Sequence, residues 1–414
     1  MTKTHHSVLN PQSSVPGTLR FLGLGAFTAV SAAGTSVALR ASDTLDEVAA
    51  VDGLREAAPG GGEWPFVSIV VPARNEERNL PRLLPSLLGQ RYPRYEVIVV
   101  DDQSEDATPA ILAEWAGRDP KLRVIRGGEL PEGWKGKPFA MHQGALAATG
   151  EWLLFTDADT DHAPLALSST IAYAIAHHID MLTILPQMEL GTPSERLVMP
   201  IAVMGITALH PASRVNDPGS KVAIANGQYI LVRREVYEAV GGAGRVKDKI
   251  AEDLEFAKAV KSDGYRLRVA DGRPLLRVRM YTNFGELWEG WGKNVVLSSK
   301  DNPAVGFALA PGLFSLTAMP FVLLLWAARS WRRARKSGGT ANLVAAGWLA
   351  ALCIWNAALP FLYRRQVDKA LGLPPAWTLT LPIGAFIFAL LVLNSLIRLL
   401  TGKGVVWKGR TYGS

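Results

Sequence analysis

The chain has 414 residues, enough for about two to three domains, and it is 48% hydrophobic with a formal net charge of +7. Its arginines and lysines flank apolar runs, as in residues 329–336, which favours membrane flanks over a surface for nucleic acid, so no nucleic-acid partner is expected. A single cysteine, Cys353, lies inside an apolar run, and the sequence therefore excludes an intrachain disulfide.

The N-terminal part is predicted to anchor the chain. Residues 1–18 are polar and are predicted to be a disordered tail. Phe21 to Leu39 is an uncharged stretch between two arginines, so residues 19–40 are interpreted as an uncleaved transmembrane anchor, with a cleaved signal peptide as the alternative. Residues 41–65 are predicted to be a partly helical linker.

From residue 66 onward, short β-branched runs alternate with segments that have helical spacing. Strands are predicted at 67–71, 96–100, 122–125 and 152–155, and helices at 79–88, 108–116 and 138–148. This alternation is typical of an α/β domain with a mostly parallel sheet flanked by helices, expected over residues 66–300. In such sheets, ligands bind beyond the carboxyl ends of the strands.

Polar clusters directly follow three of these strands. They are Pro72 with Arg74, Asn75 and Glu76, then Asp101 with Asp102, and then Asp157 with Asp159. Because the carboxyl ends of parallel strands meet at one edge of a sheet, we expect the three clusters to converge on one crevice.

Asp157 and Asp159 are candidates for binding a divalent cation. Both follow a buried strand, and alternate positions of an extended segment point the same way. Carboxylates held together repel one another, and Mg²⁺ or Mn²⁺ would offset that repulsion while sharing the phosphates of a substrate. The alternative is a solvated acidic loop.

Two further clusters suit a nucleotide-diphosphate ligand. Asp101 and Asp102 can accept hydrogen bonds from ribose hydroxyls or a base N–H, although the same run can also cap the following helix. Lys137 stands near a predicted helix N-terminus, where a cation and backbone N–H groups can hold a diphosphate. An ordinary solvated basic turn is the alternative for Lys137.

Glu252 and Asp253 are the candidate catalytic carboxylates. They are predicted to open a helix, where acidic residues often only complement the helix dipole. In the functional interpretation, Asp253 is a general base that takes the proton of an acceptor hydroxyl as its oxygen attacks the anomeric carbon of a sugar. Attack from the face opposite the leaving group inverts the anomeric centre.

Two segments are assigned to the acceptor side. Asn226, Gly227 and Gln228 are predicted to form a turn into a strand. Trp288 and Trp291 fall where the soluble part meets the first C-terminal apolar segment. Indole rings favour membrane interfaces, so anchoring is one interpretation of this pair and stacking against the acceptor is the other.

Residues 301–402 contain three apolar segments that are each long enough to cross hydrocarbon. They are Pro303–Ala328, Leu343–Tyr363 and Trp377–Leu400. If all three crossed, the basic loop 329–336 and the basic tail 403–414 would lie on opposite faces of the membrane. We therefore expect the first segment, which prolines interrupt, to be re-entrant or interfacial. The last two would cross, with Lys369 between them on the outer face and the tail in the cytosol.

Four motifs, in this order, resemble those of the family 2 glycosyltransferases, which have the GT-A fold. They are Val67–Glu77, Val97–Asp106, Phe155–Thr160 and Ala251–Leu254. The resemblance covers about residues 66–300 and implies an inverting transferase with a nucleotide-diphosphate sugar donor. It also implies four roles: Asp102 at the nucleotide, Asp157 near the donor sugar or diphosphate, Asp159 on the metal, and Asp253 as the base.

Within this family, the chain is similar to bacterial members associated with carotenoids and hopanoids, including the chlorobactene glucosyltransferase-like proteins. The similarity lies in the N-terminal anchor and in the stretches Trp134–Pro138, Asn226–Gln228, Trp288–Trp291 and Trp407–Tyr412. The Gln-x-x-Arg-Trp motif of processive polysaccharide synthases is absent around Trp288–Lys293. Its absence favours transfer of a single sugar over polymerisation.

The sequence therefore predicts a hexosyltransferase that crosses the cytoplasmic (inner) membrane more than once and has a cytosolic catalytic domain. Its expected substrates are a nucleotide-sugar donor resembling UDP-glucose and a membrane lipid hydroxyl such as that of a carotenoid, with a divalent cation as cofactor. Two alternatives stay open. One is a polyprenyl-phosphate glycosyltransferase, and the other is a membrane assembly component with a degenerate transferase domain.

Overall fold

The computed structural model describes residues 45–249, 251–301, 303–337, 340–401, 405–407 and 410–412. The predicted tail at 1–18 and the predicted anchor at 19–40 lie outside the described residues. The strands are β1 (Val67–Ala73), β2 (Tyr95–Asp101), β3 (Leu122–Arg126), β4 (Trp152–Phe155), β5 (Thr160–His162), β6 (Met181–Leu185), β7 (Gln187–Met188), β8 (Ile230–Arg233), β9 (Leu267–Asp271), β10 (Leu276–Val278), β11 (Val405–Trp407) and β12 (Arg410–Tyr412).

Helices connect and cover these strands, and long helices follow them. They are α1 (Leu80–Leu88), α2 (Thr108–Ala116), α3 (Gly136–Ala147), α4 (Ala166–Ala176), α5 (Pro193–Leu209), α6 (Ala212–Val215), α7 (Arg234–Ala239), α8 (Glu252–Ser262), α9 (Phe284–Asp301), α10 (Pro303–Ser337), α11 (Thr340–Ala370) and α12 (Leu381–Leu400). Single 3₁₀ segments lie at Gly242–Val246 and Pro375–Thr380.

The central sheet has the strand order β3-β2-β1-β4-β8-β6-β9. Strands β1 to β4 pair in parallel, and so do β6 and β9, whereas β8 runs antiparallel between β4 and β6. The predicted α/β fold with a mostly parallel sheet is confirmed. The reversal at β8 places its first residue, Ile230, opposite Phe155, the last residue of β4. The loop before β8 therefore meets the carboxyl ends of the parallel strands.

Burial on both faces of the sheet explains why its strands are continuous apolar runs. Along β1, Ile69 packs into the core on one face and Val70 into the core on the other, and neither side chain is exposed. Burying a side chain of this size contributes about 1.5–3 kcal/mol each. The helix predicted from 138 begins two residues earlier, at Gly136, because Pro138 is tolerated in a first helical turn.

Residues 45–65 differ from the predicted linker. They contain no helix and consist of turns and extended backbone with one β-bridge, from Glu47 to Asp271. Val48 and Trp64 are buried in the core beneath the sheet, at 2% and 6% exposure. The apolar side chains hold the segment against the domain, so its path is set by packing rather than by helical propensity.

Two of the C-terminal helices are long and apolar enough to cross a membrane. They cover Asn342–Ala370 and Pro375–Leu400, with mean hydropathies of 1.7 and 2.2 among the described residues. α10 differs from the prediction, because it stays helical through Pro311 and Pro320, where an interruption was expected. A proline removes one hydrogen bond from a helix, and packing against neighbouring helices can hold the helix together across that loss.

The turn between α11 and α12 is attached to the sheet domain. Arg273 Nη1 donates to the carbonyl of Ala370 at 3.2 Å, and Arg364 Nη2 donates to the carbonyl of Arg196, in α5, at 2.9 Å. These bonds place Lys369 on the same side as the domain. The predicted arrangement, with a cytosolic domain and Lys369 on the outer face, is therefore wrong. That prediction was based on the placement of charged residues, which does not show that this turn binds the sheet domain.

Cysteine labelling tests the side on which this turn lies. The two variants Lys369→Cys and Glu129→Cys are made in a Cys353→Ser background and treated with a membrane-impermeant maleimide. We expect the two positions to agree with each other in intact cells, and to agree with each other again in lysed cells. Both side chains are exposed, and Glu129 lies in a loop of the sheet domain. Opposite labelling of the two positions would restore the arrangement inferred from charge.

Candidate active site

A narrow cleft lies where the carboxyl ends of β1 and β4 meet the start of β8. Five predicted site residues line it: Pro72, Lys137, Asp157, Gly227 and Glu252. Its location agrees with the rule that open α/β sheets bind ligands beyond the carboxyl ends of their strands.

Lys137 joins the two sides of the cleft. Its Nζ lies 2.7 Å from Asp157 Oδ1 and 2.8 Å from Glu252 Oε1. Burial alone would lower the pKa of Lys137, but the nearby carboxylates of Asp157, Glu252 and Asp253 outweigh it and raise the pKa above its usual range. Lys137 is thus a permanent cation at neutral pH, held in the first turn of α3.

Asp253 is held beside this cation by the loop before β8. The backbone N–H of Gly227 donates to Asp253 Oδ2 at 3.0 Å. A side chain at position 227 would crowd both charged groups, because a Cβ would lie 3.0 Å from Lys137 Nζ and 3.1 Å from Asp253 Oδ2. Burial and the neighbouring Glu252 carboxylate raise the pKa of Asp253 to about 6. A carboxylate with this pKa can exchange protons near neutral pH.

Glu252 and Asp253 open α8, as predicted. Glu252 is 5% exposed, and its ion pair with Lys137 compensates for its burial. Asp253 is less buried, and Leu254 N donates to its Oδ1 at 2.8 Å. The two carboxylates therefore differ in environment. Glu252 forms an ion pair with Lys137, and Asp253 is the carboxylate whose pKa suits a base.

Lys293 adds a second cation from α9. Burial lowers its pKa, while the carboxylates of Glu252, Asp157 and Asp253 act in the opposite direction and the charge of Lys137 lowers it further. These interactions place Lys293 in the electrostatic field of the cleft. In the sequence, Lys293 lies with Trp288 and Trp291 ahead of the first C-terminal apolar segment, where a diphosphate contact is one interpretation. Its approach to the carboxylates depends on how α9 packs.

Asp157 and Asp159 lie in a turn between β4 and β5. The expectation that they alternate along an extended segment is wrong, because β4 ends at Phe155 and the chain turns at Ala158 and Asp159. Among the residues that the structure describes, no three His, Cys, Asp or Glu side chains are grouped to hold a metal by themselves. A divalent cation here would need oxygens from a bound diphosphate, as Mg²⁺ commonly does.

The cluster after β1 ties two loops together. Arg74 Nη1 donates to the carbonyl of Asp102 at 2.8 Å, and Asn75 N donates to Ser104 Oγ at 3.0 Å. Glu76 accepts from Asn79 Nδ2 at 2.6 Å. Arg74, Asn75 and Glu76 therefore shape the loops around the cleft, and the donor contacts predicted for them stay predictions.

Asp101 and Asp102 sit at the end of β2, next to β1, and both are buried, at 7% and 6% exposure. Asp101 Oδ1 accepts from Ser104 N at 3.0 Å, so this carboxylate shapes the turn after the strand. The helix cap predicted for this run is a separate contact: Ala107, the N-cap residue of α2, makes no side-chain cap bond, and Asp106 Oδ1 accepts from the N–H of Thr108, the first residue of α2, at 2.9 Å. The nucleotide contact predicted for Asp102 is a separate matter and stays a prediction.

The predicted acceptor residues fall in two places. Asn226, Gly227 and Gln228 form the predicted turn into β8, and Asn226 Nδ2 donates to Gln228 Oε1 at 3.0 Å. Trp288 and Trp291 instead pack on the apolar cluster between α5 and α12. The ring of Trp291 lies 5.6 Å from that of Phe388.

Comparison with known proteins relates part of this site to a known family. Residues 68–241 match the family described as Glycosyl transferase family 2. These residues form a family 2 glycosyltransferase domain. The matched segment contains Lys137, Asp157 and Gly227, while Glu252 and Asp253 follow it.

Two similar proteins are named 4,4'-diaponeurosporenoate glycosyltransferase. The one from Staphylococcus haemolyticus is 28% identical over 236 residues, which cover 56% of this chain and 62% of that protein. The one from Staphylococcus aureus is 28% identical over 232 residues, which cover 55% and 60%. The chain thus spans less than two thirds of the length of these relatives.

The glycosyltransferase domain also has a solved structural counterpart. A mannosyltransferase from Pyrobaculum calidifontis, solved in complex with GDP-Man and Mn²⁺, aligns with a TM-score of 0.50 and 21% identity. The alignment covers 88% of this chain and 97% of that one. At this identity the likeness concerns the fold, and it confirms the predicted GT-A fold.

Proposed function

We propose that the chain is an inverting glycosyltransferase that moves a single sugar from a nucleotide-diphosphate sugar to a membrane lipid. The observation that carries the proposal is the contact between Lys137 and the two carboxylates Asp157 and Glu252, with Asp253 fixed beside them by Gly227. This arrangement combines a cation suited to a diphosphate with a carboxylate suited to proton transfer, inside a family 2 glycosyltransferase domain.

In the proposed reaction, Asp253 takes the proton of the acceptor hydroxyl. The acceptor oxygen forms a bond to the anomeric carbon, and the bond between that carbon and the diphosphate oxygen breaks. The nucleoside diphosphate leaves with the bonding electron pair, and the positive charge of Lys137 stabilises the negative charge that develops on it. Because attack and departure occur on opposite faces, the anomeric configuration inverts.

A divalent cation fits this scheme as a ligand shared between protein and donor. Asp157 and Asp159 belong to one turn and offer carboxylate oxygens, which Mg²⁺ and Mn²⁺ prefer. We assign Asp159 as the metal contact, because Asp157 is already bound to Lys137. Such an ion would neutralise charge on the departing diphosphate.

The apolar C-terminal helices support a lipid as the acceptor. α9 packs through Trp291 on α12, one of the two helices long enough to cross a membrane, and the same α9 carries Lys293. The site therefore lies beside the apolar region. We propose a cytosolic catalytic domain at the cytoplasmic membrane of a multi-pass protein, where a lipid end group can reach Asp253.

The stability of the product identifies the acceptor group. Membranes that contain the protein are incubated with labelled UDP-glucose, and the lipid extract is treated with mild acid and with mild alkali. A glycoside of a lipid hydroxyl is expected to survive both treatments. By their names, the two relatives glycosylate 4,4'-diaponeurosporenoate, and the ending of that name denotes a carboxylate, whose ester would be alkali-labile.

Three results would contradict parts of the proposal. An acid-labile product would favour a polyprenyl-phosphate acceptor, which needs little base catalysis. Transfer that survives both Asp159→Ala and Asp253→Asn would rule out the assigned mechanism. If no labelled nucleotide-sugar gives labelled lipid or releases free labelled sugar, the result would favour a membrane assembly component.

The pH dependence of transfer follows from the pKa of Asp253. A base acts in its deprotonated form, so kcat should fall as pH decreases through about 6, the value to which burial and Glu252 raise this pKa. An ordinary aspartate would lose activity only near its usual pKa, about 3.9. The pH profile of kcat at saturating donor measures this, and an acid limb near pH 4 would contradict the assignment of Asp253.

A further inference from the structure

Next to the Asp157–Asp159 turn, three buried polar side chains contact one another and have no role in the proposed reaction. Thr156, Thr160 and His162 are 1%, 1% and 4% exposed. The Oγ1 atoms of the two threonines and the Nε2 atom of His162 lie 3.1 Å apart in all three pairs. Polar atoms buried this deeply have to share hydrogens.

The hydroxyl hydrogens of both threonines are used elsewhere. Thr156 Oγ1 donates to the carbonyl of Gln228 at 2.7 Å. Thr160 Oγ1 donates to the carbonyl of Asp157, also at 2.7 Å. A carbonyl can only accept and a hydroxyl has one hydrogen. Neither threonine therefore has a hydrogen left for the other, or for the imidazole.

The remaining hydrogen of the group belongs to His162. Without a hydrogen on Nε2, three lone-pair-bearing atoms would face one another at 3.1 Å in a buried space, which is costly. With it, the imidazole donates to both threonine oxygens. Burial lowers the pKa of His162 to about 3, so the ring is neutral near pH 7. Its Nε2 is thus a donor, and it is excluded as a base or a metal ligand.

This group connects the two halves of the candidate site. Through Thr160 it holds the carbonyl of Asp157, whose carboxylate binds Lys137. Through Thr156 it holds the carbonyl of Gln228, the residue after Gly227, whose N–H binds Asp253. One imidazole hydrogen therefore links the donor side to the proposed base.

We propose that His162 is a positioning residue, whose Nε2–H fixes Thr156 and Thr160 and so holds Asp157 and Asp253 in one geometry. Its role in catalysis rests on the proposed function. The assignment of the hydrogen to Nε2 stands independently, on the contacts of the three side chains alone.

A matched pair of variants tests the positioning role. His162→Gln keeps an N–H donor near the position of Nε2, whereas His162→Leu has none. kcat for His162→Leu is expected to fall about 100-fold, as a displacement of about 1 Å commonly does. His162→Gln is expected to retain most of the wild-type kcat, with thermal unfolding measured for both. Equal kcat values in the two folded variants would overturn the proposal.

A second pair covers the case in which His162→Leu does not fold. Thr160→Val keeps the shape of the side chain but removes the hydroxyl, and Thr160→Ser keeps the hydroxyl. The proposal expects loss of kcat for valine and retention for serine. Wild-type kcat in Thr160→Val would contradict it.

The tautomer can be read without any transferase activity. In protein with ¹⁵N-labelled histidine, the His162 resonances are those that disappear in His162→Gln. The proposal expects Nε2 to be the protonated nitrogen at pH 7.5, and a ring protonated on Nδ1 instead would overturn it. If the tautomer is as expected but no sugar is transferred, the proposed function fails and the hydrogen assignment stands.

Discussion

Replacing Asp253 by asparagine is expected to lower kcat for sugar transfer by about 10²–10⁴-fold, the usual contribution of a general base. Asparagine keeps the size of the side chain and can still accept the 3.0 Å hydrogen bond from Gly227 N. It cannot take a proton from the acceptor. The donor should therefore still bind, and the loss should appear in kcat at saturating donor.

Asp263→Asn is the matched control for this variant. Asp263 follows the other end of α8, about 15 Å along the helix axis, and forms an ion pair with Arg245. The same chemical change at this position should leave kcat unaltered. Equal losses in the two variants would point to damage to α8 rather than to a missing base, and wild-type kcat in Asp253→Asn would remove the mechanism.

Replacing Asp368 by asparagine is expected to destabilise the protein by about 3–5 kcal/mol. Arg364 and Asp368 are both fully buried in α11, and Arg364 Nε donates to Asp368 Oδ1 at 2.7 Å. The same guanidinium donates to the carbonyl of Arg196, whose helical partner would be the N–H that Pro200 lacks. Removing the carboxylate leaves a buried charge without its counter-ion.

Urea unfolding in detergent measures this loss, and Glu114→Gln is its control. Glu114 and Arg118 form a pair with the same spacing of four residues, but both side chains are more than half exposed, at 58% and 59%. Such a pair contributes only about 0.3–0.5 kcal/mol. Equal shifts for the two variants would show that burial of the Arg364 pair has no energetic consequence. The double variant Arg364→Met/Asp368→Leu should regain stability, because no charge is left buried.

Much of the domain could be predicted because its strands are buried on both faces. Runs such as Val67–Val71 and Trp152–Phe155 are apolar along nearly their whole length, which indicates strands buried on both faces. Because parallel strands end at the same edge of a sheet, the polar residues that follow these runs could be predicted to lie close together. The family resemblance supplied the roles proposed for Asp157 and Asp253, which composition alone leaves open between catalysis and helix capping.

Contacts between distant segments could not be predicted. The sequence offers Lys137 as a diphosphate contact and Glu252 as a catalytic carboxylate, and only the fold shows that they bind each other. The sequence does not indicate a role for His162, because that role depends on which carbonyls the hydroxyls of Thr156 and Thr160 donate to. The side on which Lys369 lies was mispredicted for the same reason, since Arg273 reaches Ala370 across the fold.

A structure with a bound nucleotide-diphosphate sugar and Mn²⁺ tests the central claim most directly. The expected result is a diphosphate in the cleft beside Lys137 and Asp157, with the ion on Asp159 and the anomeric carbon facing Asp253. A donor bound elsewhere would contradict the account, as would an anomeric carbon turned away from Asp253 towards another base.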